Sequence, residues 1–281
     1  GVWISGFFGS GKSHFLKILS YLLSNQEVCG KRAIDYFADK FDDPMMYAQA
    51  VKSVSVPTQS ILFNIDIEGP LTKDKTAVLR VFAKMFYNHC GFYGDDLKIA
   101  KLERFIEKQG KTQQFREAFE KVNGAPWTET RDSFAFFEDD IVSVRHSTLG
   151  MSAQAARNWF NGEETNELSI AQLVADIQEY VDGKGKDFRL LFMVDEVGQY
   201  IGDDGDLMIN LQSLVEEIGI RCHGKVWVMV TSQEAIDSVV HITGNDFSKI
   251  QGRFNTRLSL SSSSVDEVIT TRVLAPTDPA D

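Results

Sequence analysis

Eight residues near the start of the chain, Gly6-Phe7-Phe8-Gly9-Ser10-Gly11-Lys12-Ser13, fit the spacing GxxxxGK[ST]. Glycines at these positions let the backbone turn tightly, so that successive N–H groups point inward at phosphate oxygens. A helix beginning directly behind them aims its positive end at the same anion. In this pattern Lys12 reaches the β- and γ-phosphates and the Ser13 hydroxyl ligates Mg²⁺. The spacing therefore predicts a nucleoside triphosphate site, ATP with Mg²⁺, bounded by Gly6 to Ser13 and the adjoining His14.

A second group complements the first. Asp195-Glu196 follows the apolar run Leu190-Leu191-Phe192-Met193-Val194. In a parallel α/β sheet, ligands lie at the carboxyl ends of strands, so this pair is expected to face the phosphate loop. Asp195 would hold Mg²⁺, and Glu196 would act as general base on a water attacking the γ-phosphate. Acidic residues after strands are also common turn formers; it is the combination with Lys12 that points to catalysis. Thr231-Ser232-Gln233 follows another apolar run and would lie at the same edge. Ser232 there either orients the water or caps a helix beginning at Glu234. Arg253 either reaches a neighbouring subunit's nucleotide as an arginine finger or makes a local salt bridge. Arg257 is the alternative candidate for the finger.

The elements that must position these groups can be read from periodicity. Val2 to Ser5 is a short apolar strand entering the loop. Phe15, Leu16, Leu19, Leu22 and Leu23 then recur at helical spacing. Ile61 to Ile67 reads as a second strand ending at the turn signal Gly69-Pro70, and Lys73 to Asn88 as a helix. Leu190 to Val194 and Val226 to Val230 are apolar without alternation, as central parallel strands are. Arg257 to Leu260 is a fifth candidate strand. Helices are expected over Leu207 to Ile218 and Glu234 to Val240. Alternating strands and helices predict an α/β fold with a parallel sheet.

Residues 91–186 break this rhythm. They read as helices (Leu97 to Gln109, Gln113 to Val122, Ala153 to Phe160, Ile170 to Val181) with no convincing strand, hence a helical insertion between the second and third strands. Its aromatic residues, among them Phe105, Phe115, Phe119, Phe136, Trp159 and Phe160, are expected either to form the core of that subdomain or to offer a partner surface. The net charge of -11 argues against a surface built for non-specific DNA binding. It leaves room for a local basic groove, or for DNA contacts made by parts outside this chain. Three cysteines without CxxC spacing give no metal site or disulfide framework and fit a reducing cytoplasm. No run of apolar residues is long enough to span a bilayer. The chain opens inside a strand without an initiator methionine, and Ser264-Val265-Asp266-Glu267 reads as a capping box near its end. Both features suggest a piece of a longer protein.

With Gly6 to Ser13, Leu190 to Glu196, Ser232 after a strand and Arg253-Phe254 in this order, the chain resembles the AAA+ ATPases, in the group that includes the origin-recognition and Cdc6-like proteins. The resemblance implies strand order 5-1-4-3-2, Ser232 as sensor 1 and Arg253 as the finger of a homo-oligomer. It also implies one AAA+ domain fragment over residues 1–281, with residues 263–281 starting a truncated lid. The sensor residue of that family is usually Asn or Thr, a point at which Ser232 departs. Gly1 to Lys17, Phe192 to Tyr200 and Thr231 to Glu234 are more closely similar to the BrxC family of large P-loop proteins in BREX bacteriophage-exclusion systems. That similarity implies a cytoplasmic protein of phage defence acting with other BREX components, including a DNA methyltransferase.

The residues support an Mg-dependent ATPase, with Glu196 as the feature that favours turnover. A nucleotide-gated scaffold or switch is the alternative. A small-molecule kinase would usually add basic residues over an acceptor site; the long insertion, Asp195-Glu196 and Arg253 argue against it.

Overall fold

The computed structural model describes residues 1–70, 72–162, 168–233 and 252–260. The expected helix Glu234 to Val240 and the expected lid over residues 263–281 lie outside them. The chain forms two compact units, Gly1–Gly69 with Gln178–Asp281, and Pro70–Ile177.

The first unit is built on a parallel sheet of five strands: β1 (Val2–Ser5), β2 (Thr58–Asn64), β3 (Arg189–Asp195), β4 (Val226–Ser232) and β5 (Thr256–Ser259). Their order across the sheet is β2-β3-β4-β1-β5. Leu190 to Val194 of β3 are all buried, as the absence of alternation in that run requires. Parallel registry aligns the ends of neighbouring strands, so that Asn64 stands beside Asp195 and Ser5 beside Ser232. Helix α1 (Lys12–Ser24) follows β1 and buries Leu16 against Val2, Ile4, Leu191 and Met193. Its apolar stripe thus ties the loop Gly6–Ser13 to the sheet interior.

Both ends of β2 differ from those read in the sequence, and its carboxyl end does so for a local reason. β2 begins at Thr58 and stops at Asn64 rather than continuing to Ile67. The Asn64 side-chain oxygen accepts hydrogen bonds from the backbone of Asp66 (2.9 Å) and Ile67 (3.2 Å), capping a single helical turn, Ile65–Glu68. Between α1 and β2 the chain also forms a small hairpin (Glu27–Val28 with Lys31–Arg32), a 3₁₀ segment Ala33–Lys40 and a helix Pro44–Val54. The Asp43-Pro44 start of that helix carries a readable cap and N1 proline. The hairpin strands are too short for periodicity to register.

The second unit is helical among its described residues. It begins at Pro70, well before the change of composition at Gly91, because the helix Ala77–His89 belongs to it. That helix buries Val78, Leu79, Val81, Phe82 and Phe86, and the Tyr87 hydroxyl donates to Asp176 at 2.7 Å. Ile99, Leu102, Phe115, Phe119, Trp127, Ile141 and Phe160 form its main core. Phe115 and Phe119 meet the Trp127 ring edge-on, with centroids 5.3 and 4.9 Å away, a geometry favoured by the ring quadrupoles. Most of the insertion's aromatic residues are therefore core; Phe105 and, more fully, Phe136 are exposed. No helix of the described residues is long and apolar enough to cross a membrane.

Candidate functional site

The loop after β1 has the shape its glycines allow. Gly9 and Gly11 adopt φ of 82° and 83°, a left-handed region that costs other L-residues about 1–2 kcal/mol. α1 starts immediately after Gly11 with no side chain capping it, which leaves its leading N–H groups turned toward the loop. The Ser10 hydroxyl is buried there and has no hydrogen-bond partner among the described residues. Ser13 and His14 are exposed, as are Phe7 and, more fully, Phe8. Lys12 is buried and folds back on its own loop, donating to the carbonyls of Gly6 (2.6 Å) and Phe7 (2.9 Å).

Lys12 also reports on the second half of the site. Burial pushes its pKa below the usual lysine value, while the nearby charges of Asp195 and Glu196 oppose that shift. Lys12 and a pair of carboxylates remote from it in sequence thus act on one another electrostatically, because β1 and β3 both end at the same edge of the sheet.

At the end of β3 the two carboxylates are held quite differently. Asp195 Oδ1 accepts from the Glu196 backbone N–H at 3.1 Å and from the Thr231 hydroxyl. The Thr231 oxygen in turn accepts from the same Glu196 N–H at 2.9 Å. Glu196 adopts φ 63° and ψ 26°, a left-handed conformation uncommon for a residue other than glycine or asparagine. Its carboxylate is gripped from β2, where Asn64 Nδ2 donates to Oε2 at 2.6 Å. One asparagine therefore caps the turn 65–68 with its oxygen and holds Glu196 with its nitrogen.

Ser232 is buried and covered by the short helix Val197–Ile201. A Cβ placed on Gly198 would lie 1.9 Å from the Ser232 hydroxyl oxygen, so the helix approaches this closely only because residue 198 has no side chain. Of the two hydroxyls at the end of β4, the one bonded to the carboxylate pair is Thr231. Arg253 forms an ion pair with Glu216 of the helix Gly205–Arg221, the local alternative considered from the sequence. The segment carrying it is anchored by Phe254, fully buried and edge-on to Trp3 with centroids 5.4 Å apart. Arg257 donates to the Phe254 carbonyl at 3.2 Å.

Thus the structure brings together Lys12, Asp195 and Glu196, with Asn64 and Thr231 as their immediate partners. From the sequence Asn64 reads only as a strand residue; the available signal is an amide side chain closing a strand two residues before Asp66. The sequence places Thr231 with Ser232 at the sheet edge; its bond to Asp195 is a product of strand registry. Among the described residues no group of three or more His, Cys, Asp or Glu could hold a metal ion. A divalent cation at this edge would rely on Ser13, Asp195 and oxygens brought by a nucleotide, the few-protein-ligand arrangement that Mg²⁺ commonly adopts. No protein-family model matches the chain, and no solved structure matches it.

Proposed function

We propose that this protein binds ATP with Mg²⁺ at the loop Gly6–Ser13 and hydrolyses it, as an AAA+ type ATPase. The observation that carries the reading is the convergence of Lys12 with Asp195 and Glu196 at one edge of the sheet. The left-handed loop glycines, the start of α1 without a side-chain cap and the Ser10 hydroxyl, which has no partner among the described residues, suit a polyphosphate. The order β2-β3-β4-β1-β5, with the acidic pair on the strand two places from β1, supports the AAA+ assignment.

On this reading the backbone N–H groups of Gly9 to Ser13 hold the phosphates, with Phe7, Phe8 and His14 at the margin. Lys12 leaves the Gly6 and Phe7 carbonyls to pair with phosphate oxygens. Mg²⁺, held by Ser13 and Asp195, would neutralise charge on the phosphates. Glu196 accepts the proton of the attacking water at its carboxylate, for which it must let go of Asn64 or turn its other oxygen toward the water. Arg253 serves a neighbouring copy only after leaving Glu216, and Ser232 acts on the water only through a shift of the helix covering it. These engaged positions favour a second reading, a nucleotide-gated assembly switch that turns over slowly by itself. The similarity of Gly1–Lys17, Phe192–Tyr200 and Thr231–Glu234 to the BrxC family supports a cytoplasmic role in phage defence, in a homo-oligomer alongside a DNA methyltransferase and other BREX components.

The test is steady-state ATP hydrolysis against protein concentration, with and without DNA, for the natural chain, Glu196→Gln and Arg253→Ala. An ATPase requires turnover that Glu196→Gln abolishes while nucleotide binding persists; turnover surviving that substitution would remove Glu196 as the base. Rates per molecule that rise with concentration, and lose that rise in Arg253→Ala, support the finger in trans. Tight ATP binding without turnover at any concentration favours the switch.

A further inference from the structure

We propose that Thr231 is a positioning residue for the carboxylate pair: its single hydroxyl fixes Asp195 and Glu196 together and so sets how a nucleotide's divalent cation is received. The proposal rests on the nucleotide-site reading and deepens it. Thr231 is fully buried in β4, next to the strand that carries the acidic pair. Its hydroxyl hydrogen goes to Asp195 Oδ1 and its oxygen accepts the Glu196 N–H, so both hydrogen-bonding capacities used here point at the same dipeptide. Oδ1 of Asp195 thereby receives two hydrogen bonds. Among the described residues Oδ2 receives none, which leaves that oxygen for a cation. The Glu196 N–H bond also helps offset the left-handed backbone at that residue.

Valine has nearly the shape of threonine without the hydroxyl. Thr231→Val would leave Asp195 held by the Glu196 N–H alone and deprive that N–H of its shorter partner, whereas Thr231→Ser keeps the oxygen. Outer residues that orient metal ligands typically matter about 10–100-fold in metal affinity or activity. A threonine needed only for packing would tolerate valine and be harmed as much by serine, which loses the methyl group.

The experiment uses the natural chain, Thr231→Val and Thr231→Ser, with a fluorescent ATP analogue titrated in EDTA and then with added Mg²⁺. The expected result is unchanged affinity in EDTA, a Mg²⁺ midpoint raised about tenfold or more in Thr231→Val, and return toward the natural midpoint in Thr231→Ser. If Thr231→Val does not fold, Thr231→Ala carries the same expectation. A midpoint in the hydroxyl-free variant equal to that of the natural chain overturns the proposal, as does serine behaving like valine. If the natural chain itself gains no affinity from Mg²⁺, the nucleotide-site reading falls and takes this proposal with it. Natural binding with an unmoved valine variant overturns Thr231 alone.

Discussion

Each unit of the molecule buries or half-buries carboxylates, and the two use them oppositely. In the helical unit, Glu103 accepts from Trp127 Nε1 (2.7 Å) and Arg131 Nη1 (2.9 Å) on one oxygen, and from the Tyr93 backbone (2.5 Å) on the other. Asp176 is likewise engaged on both oxygens, by the Tyr87 hydroxyl and by Arg104. Burial first, and then the charge of Asp176, raises the Tyr87 pKa far above its ordinary value, which keeps that hydroxyl a donor. Even the cation Arg145, without an ion pair among the described residues, is housed rather than offered: it lies 4.0 Å over the Trp159 ring and donates to the Ala156 carbonyl. In the sheet unit, Asp195 is tied through one oxygen and Glu196 through a single amide, on a left-handed backbone. A carboxylate saturated with donors holds helices together. One anchored on a single side, at the edge of a sheet near a lysine, suits the proposed role in catalysis.

This contrast predicts separable consequences. Glu196→Gln should lower ATP turnover by about 10²–10⁴-fold, the range expected of a general base, with binding of an ATP analogue retained and thermal stability little changed. Glu103→Ala should do the reverse. Removing one partner of a buried ion pair costs about 3–5 kcal/mol, read from urea unfolding followed by helicity, while ATP affinity of the folded protein stays the same. A loss of affinity in that variant would break the distinction between the units. Lys12→Ala should weaken ATP binding by roughly 10–100-fold, since charged hydrogen bonds contribute about 1.5–3 kcal/mol; isothermal titration would measure it. The smallest effect is expected at Asn64. Its replacement by alanine should cost about 1 kcal/mol through the lost cap, whereas Asn64→Asp keeps the cap but sets a second negative charge against Glu196. Lower turnover in Asn64→Asp, at nearly natural stability, would show that this contact bears on the chemistry.

Much of the architecture was legible because it follows from local rules. The apolar run Leu190 to Val194 must be covered on both faces, and it is β3, fully buried along that run. The stripe Phe15, Leu16, Leu19, Leu23 must face a core, and it packs on β1 and β3. The end of β2 was less legible: Ile65 and Ile67 have strand propensity, but the Asn64 side chain offers the backbone a competing pair of hydrogen bonds. The extent of the helical unit was hidden for another reason. Helix Ala77–His89 looks like any amphipathic helix, and only its packing partners decide to which unit it belongs.

At the site the division is equally physical. The sequence by itself determined the loop Gly6–Ser13, the strand that precedes it, the helix that follows it, and the acidic pair at the end of a buried strand. Those features depend on residue type and spacing within a few positions. Only the tertiary structure decided that Lys12 feels Asp195 and Glu196, that Asn64 grips Glu196, and that Thr231 rather than Ser232 bonds the acidic pair. It likewise decided that Arg253 turns to Glu216. Each of these depends on which strands become neighbours and in what register, and registry is set by burial of whole faces, a property that no short stretch of sequence contains.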